Sequence, residues 1–136
     1  VQVADSIQGA GSPPSPQRNG GLALSMSELR LEELSASNIV AANSLTLKPG
    51  QEQFVAPVSQ SIAEAAVSPE SAWPRVVFED DEVVGFIMGN FDPDAEHEAF
   101  RSCIWRINVA AAAQRRGVGR FAVRALADAA RARGFE

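Results

Sequence analysis

The sequence predicts a mixed α/β fold of the α+β kind, a mostly antiparallel sheet flanked by helices. Three stretches carry that prediction. "RVVFEDDEVVGFIMGNF" holds two β-type runs on either side of an acidic pair. "RSCIWRINV" adds a third run, rich in branched and aromatic residues. "VGRFAVRALADAARARG" then repeats its apolar residues at helical spacing.

Taken in order, residues 1–27 are dominated by Gly, Pro, Ser and Gln, without sustained periodicity. Such a segment buries too little apolar surface to offset its ordering entropy, so it is expected to be a flexible tail. From residue 28 an ordered domain is expected to run to Glu136. "LRLEEL" alternates like a first strand. Ser35 or Ser37 is a candidate cap for a short helix over "NIVAANSL". "LKPGQEQFVAP" contains a Pro-Gly break and a turn-like segment. "VSQSIAEAAV" places Val58, Ile62, Ala65 and Ala66 on one helical face, and Pro69 and Pro74 interrupt the chain after it. Arg75 to Glu79 reads as a strand, Asp80-Asp81 as a tight turn and Glu82 to Phe91 as the partner strand, with the third β run completing an antiparallel meander. In the last helix Val118, Phe121, Ala122, Ala125, Leu126 and Ala129 share a face. Arg120, Arg124, Asp128 and Arg131 lie opposite, Arg124 and Asp128 are spaced as an i,i+4 pair, and Gly134 is a natural stop.

With 136 residues there is room for one domain. A net charge of −5 argues against a nucleic-acid binder. No apolar run is long enough to span a bilayer and no secretory signal is visible, so a soluble, cytoplasmic protein is expected. One cysteine, Cys103, and one histidine, His97, argue against a disulfide or a metal site. Six of the twelve basic residues fall between Arg115 and Arg133, and eight of the seventeen acids between Glu79 and Glu98, which suggests one positive and one negative surface region.

The sharpest signal is "QRRGVGRF", Gln114 to Phe121, between the third β run and the last helix. Free N–H groups at a helix N-terminus and the helix dipole favour an anion there. Gly117 and Gly119 permit close approach of a phosphate, and Arg115, Arg116 and Arg120 offer charge-assisted bonds. A Walker loop requires Lys-Ser/Thr after its last glycine, where Arg120-Phe121 stands. A dinucleotide fingerprint requires a third glycine and a downstream acid, and neither is present.

"INVAAAAQRRGVGRFAVRALADAARARG" resembles motif A of the GNAT superfamily of N-acetyltransferases: Ile107, Asn108 and Val109 match its strand end, and Gln114, Gly117 and Gly119 its loop signature. "LKPGQEQFVAPVSQSIAEA" and "IWRINV" are similar to the diamine/spermidine acetyltransferase branch. The resemblance covers about residues 29–136. It implies a GNAT-like fold whose sheet splays beside the strand ending at Val109, with acetyl-CoA in the split. Ile107, Asn108 and Val109 would then pair with the pantetheine arm through their backbone. Residues Arg115, Arg116, Gly117, Val118, Gly119 and Arg120 would cradle the pyrophosphate beside Gln114. A primary amine of a small, polyamine-like molecule would attack the thioester, with Val109 N–H or a neighbour stabilising the oxyanion.

The pattern departs from the family in three ways. The family's last strands and helix would begin where this chain ends, so an incomplete cleft is expected, with an exposed strand edge that a homo-oligomer, such as a strand-exchanged dimer, would cover. The sequence contains no tyrosine to serve as general acid. "CIWRINV" carries no carboxylate. The candidates for deprotonating the amine are Asp92, Asp94, Glu96, His97 and Glu98, of which His97 has the unperturbed pKa nearest neutrality. The same acids, with Trp105 and the Phe54–Pro57 segment, are candidates for holding the acceptor. Cys103 is expected to be a packed thiol rather than a nucleophile. The alternative function is a truncated, catalytically inactive GNAT-like module that binds CoA or a partner and oligomerises.

Overall fold

A computed structural model describes residues 28–53 and 55–135. The tail assigned to residues 1–27, and also Phe54 and Glu136, lie outside the described residues. The elements are β1 (Leu29–Glu33), α1 (Ile39–Asn43), α2 (Val58–Val67), β2 (Ala72–Glu79), β3 (Glu82–Phe91), β4 (Ser102–Val109) and α3 (Val118–Ala132). Single 3-10 turns occupy Gln51–Gln53, Glu98–Phe100 and Ala111–Ala113. The four strands form one antiparallel sheet in the order β1-β2-β3-β4, in which β2, β3 and β4 are the meander expected from the sequence and β1 adds to it beside β2.

Helices cover both faces. On one, Val77, Ile87 and Phe91 of the sheet pack with Val118, Ala122, Leu126 and Ala130 of α3. On the other, Val76, Phe86 and Met88 pack with Ala42 of α1 and Val58 of α2. β3 lies between these layers and is buried almost throughout, so its sequence reads as a continuous apolar run rather than an alternation. Gly85 and Gly89 bring α3 close to the sheet: a Cβ on Gly89 would stand 2.6 Å from Leu126 Cδ1, and one on Gly85 3.1 Å from Val118 Cγ1.

α3 stops by backbone geometry. Gly134 is left-handed at φ 89°, its N–H donates to Arg131 C=O, and Phe135 N–H donates to Ala130 C=O. Both bonds satisfy carbonyls that the helix end would otherwise leave bare. Phe135 then stacks on Phe91 at 5.8 Å, which fixes the helix end to the sheet.

Several local expectations are corrected. The residue preceding α1 is Asn38, and the hydroxyls of Ser35 and Ser37 bond each other at 2.9 Å instead of capping the helix. Asn38 Oδ1 reaches back to accept Ser35 N–H at 2.9 Å, so it closes the turn before the helix. On α2, Ser61 is buried where Ala66 was expected, and Ala66 is exposed. Pro74 does not interrupt β2 but lies inside it, opposite Met88. β1 pairs with β2 only from Arg75 onward, so the missing N–H of Pro74 falls where no strand needs it. The Asp128 carboxylate pairs with Arg131 at 2.6 Å, one turn further along, and not with Arg124.

Candidate functional site

The chain leaves β4 at Val109 and makes one 3-10 turn that buries Ala113. It then reverses through Gln114 to Gly117 before entering α3. Two residues in the reversal are left-handed, Arg115 at φ 70° and Gly117 at φ 86°. Gly117 is also the residue before the helix and offers no side-chain cap, and the first turn contains no acid. The leading N–H groups of α3 therefore face outward with the positive end of a 15-residue helix behind them.

The space around this turn is open. Among the described residues, a Cβ on Gly117 or Gly119 would meet nothing within 4 Å. Gly117 is explained by its positive φ. Gly119 is not: its backbone is helical, and in the first turn of a helix glycine is less stable than alanine by up to about 1 kcal/mol. Nothing among the described residues requires a glycine there, whereas a ligand lying against the backbone would. Arg115 and Arg120 are exposed and form no ion pair among the described residues. Arg116 is turned away and paired with Glu79 at the end of β2. That pair also corrects the expected segregation of charge. The acids from Glu79 to Glu82 sit beside the arginine turn, and those from Asp92 to Glu98 sit at the other end of the sheet.

β4 is the edge strand among the described residues. Ala110 N–H donates to Val84 C=O at 2.9 Å, and this sets the alternation along the strand. With Phe86 opposite Asn108, the backbone groups of Asn108 turn toward β3, and those of Ile107 and Val109 turn to the open edge. Of the three residues expected to pair with a ligand through their backbone, two are so placed and Asn108 is not. The Val109 carbonyl accepts the side-chain amide of Gln114 at 3.0 Å. Gln114 Nε2 also donates to Gln51 Oε1 at 2.9 Å, so the loop glutamine ties the turn to the segment before α2.

A bulge reshapes the middle of the strand. Met88 faces Arg106 and Gly89 faces Ile104, which leaves Trp105 without a partner. Trp105 and Arg106 consequently both turn to the α2 face. Trp105 packs half-buried against the α1/α2 core cluster, and Arg106 Nη2 pairs with Glu64 Oε1 of α2 at 3.1 Å. Both residues line a pocket of about 400 Å³ with Val55, Ala56, Ile104 and Ile107. Sequence reading missed Glu64 and Gln51. Neither stands in a motif, and each acquires its partner only through contacts made across the fold.

The proton-transfer candidates lie elsewhere. Asp92, Asp94, Glu96, His97 and Glu98 belong to the β3–β4 connection, at the opposite end of β4 from Val109. Seven residue steps of strand separate the two ends, about 23 Å at 3.3 Å per residue. There Asp92 Oδ1 accepts Asp94 N–H at 3.1 Å, and His97 is exposed with its ring edge-to-face with Phe100. The fold thus brings together Ile107, Val109, Gln114 and the 115–120 turn, with Trp105 further along the same strand, and leaves out Asp92, Glu96, His97 and Glu98. Phe54 lies outside the described residues, although its neighbours Val55 and Ala56 line the Trp105 pocket. Cys103 is half-buried, and desolvation pushes its thiol above the usual range, which disfavours the nucleophilic thiolate. Among the described residues no cluster of His, Cys, Asp or Glu is suited to a metal ion, and no helix is long and apolar enough to cross a membrane.

Comparison with known proteins agrees with this geometry. Residues 40–136, more than two thirds of the chain, match the Acetyltransferase (GNAT) family. The fold is similar to a solved structure of AAC(6')-Iy in complex with the bisubstrate analogue CoA-S-monomethyl-acetylneamine. The TM-score is 0.59 at 14% sequence identity, over 81% of this chain and 76% of that one. Comparison with curated proteins gives no match. The helix-flanked antiparallel sheet, the glycine turn behind β4 and the family match converge, and the chain belongs to the GNAT acetyltransferase family.

Proposed function

We propose that this chain binds acetyl-CoA and transfers the acetyl group to a primary amine of a small molecule. The observation that carries the reading is Gly119, a glycine that neither φ nor packing requires, set in open space over an uncapped helix N-terminus. The bound cofactor would supply an acetyl thioester. The N–H groups opening α3 would hold the pyrophosphate, and Arg115 and Arg120 would balance its charge. The outward backbone groups of Ile107 and Val109 would orient the pantetheine arm along the open edge of β4. Val109 N–H is the candidate donor to the carbonyl oxygen as charge builds there. Removal of the ammonium proton is not assigned to His97 or Glu98, which stand a strand's length away.

The finer reading of the acceptor has two supports. The resemblance to the diamine/spermidine branch points to a polyamine. AAC(6')-Iy was solved with an analogue built on acetylneamine. Their common element is a primary amine on a small molecule. Isothermal titration should show acetyl-CoA binding in the intact chain and at least about a tenfold loss in Gly119→Trp, whose indole fills the open space. Melting temperature should stay near that of the parent. Absence of acetyl-CoA binding in the parent protein rejects the reading. The alternative of CoA binding without transfer is recognised by normal titration with no thiol release from acetyl-CoA when 2-phenylethylamine, spermidine or neamine is added.

A further inference from the structure

Asn108 carries a second signal, separate from the phosphate turn. It is 3% exposed, and its Nδ2 donates to Ala56 C=O at 3.1 Å. Its Oδ1 is buried without a hydrogen-bond partner among the described residues. A buried acceptor that has lost its water and gained no partner is destabilising, so such groups call for an explanation. Exchanging the amide ends offers none: it would set Oδ1 against the Ala56 carbonyl and leave the NH2 group unpaired. Asn108 also lines a pocket of about 670 Å³ between α1, the 45–49 segment and the start of α2. That volume suits a small molecule. Leu45, Leu47, Val55, Pro57 and Val58 make most of the wall apolar, and no charged side chain belongs to it among the described residues.

We infer that this pocket takes the acceptor, and that Asn108 Oδ1 receives an N–H from its amino group. This rests on the acetyltransferase reading, because Asn108 lies between Ile107 and Val109, whose backbones border the cofactor edge. The side chain points to the α1/α2 face and the two neighbouring backbones to the strand edge, so one strand position addresses both substrates. A mostly apolar wall whose polar groups, on Asn43, Thr46 and Asn108, are all neutral selects an amine carried on an apolar body. A polyamine has further ammonium groups that would need carboxylates, and the Glu64 carboxylate of α2 is already paired with Arg106. The specificity drawn from this pocket is therefore for apolar monoamines over polycations.

The test uses the full chain without cofactor, with 2-phenylethylamine and spermidine as probes. The expected result is that 2-phenylethylamine shifts the Asn108 side-chain amide resonance and spermidine does not. Asn108→Leu should weaken 2-phenylethylamine binding about tenfold, the scale of one hydrogen bond to a charged group, and leave acetyl-CoA affinity within about twofold. Asn108→Asp should improve spermidine binding relative to the parent. Should Asn108→Leu not fold, the resonance shift and the Asp variant still decide. An unmoved Asn108 resonance at millimolar 2-phenylethylamine, or equal binding by parent and Leu variant, overturns the proposal. Tighter spermidine binding in the parent overturns its substrate class. Loss of acetyl-CoA binding in the parent overturns the transferase reading instead, and is measured separately.

Discussion

Two pairs of glycines show how the same residue serves two purposes. Gly85 and Gly89 on β3 are crowded, with Val118 and Leu126 of α3 closing over them. A Cβ added to Gly117 or Gly119 at the start of α3 would meet nothing within 4 Å among the described residues. The first pair is accounted for by the chain's own packing. In the second pair, Gly117 is accounted for by its backbone angle, and for Gly119 no reason is found among the described residues, which the proposed cofactor would supply. A glycine without an internal reason is a more specific pointer to a ligand than a glycine-rich stretch as such.

Substitutions can break this contrast. Gly89→Val should have the largest effect, because its Cβ would stand 2.6 Å from Leu126 in the buried layer under α3. A loss of about 3 kcal/mol is expected from overpacking, read as a lowered denaturation midpoint. Gly117→Ala should cost about 1–2 kcal/mol through its positive φ alone, since no atom obstructs the methyl group. Gly119→Ala should do the opposite and raise stability by about 0.5–1 kcal/mol, while acetyl-CoA affinity falls. Thermal melts and titrations on the same samples would separate the two effects. A Gly119→Ala protein that neither gains stability nor loses affinity removes the distinction between the pairs.

Much of the fold was legible from local pattern. The β2–β3 hairpin, β4 and α3 follow from runs of apolar residues and from the 3.6-residue period, and the turn at Gln114 from its motif. The features that could not be read depend on where distant segments meet. The bulge at Trp105 shifts the side-chain phase of β4, and period-2 reading of "CIWRINV" has no means of detecting a skipped partner. Pro74 looked like a breaker because β1's short reach along β2 is a property of the sheet. The acids of the 92–98 segment looked close to the motif in sequence, but a strand between them and the turn puts them at opposite ends. Asn108 was read for its backbone, and its side chain carries the stronger observation.

The hydrogen bond from Gln114 to the Val109 carbonyl also affects assembly. An unpaired strand edge is a template on which another strand can add rung by rung. At Val109 one rung is already occupied by a side chain of the same molecule, held in place from behind by Gln51. A strand growing along β4 toward the turn would have to displace or share that bond. The ladder is thereby discouraged from closing at the edge along which the proposed cofactor would lie. The glutamine of the motif, besides shaping the turn, thus hinders the addition of a further strand at Val109.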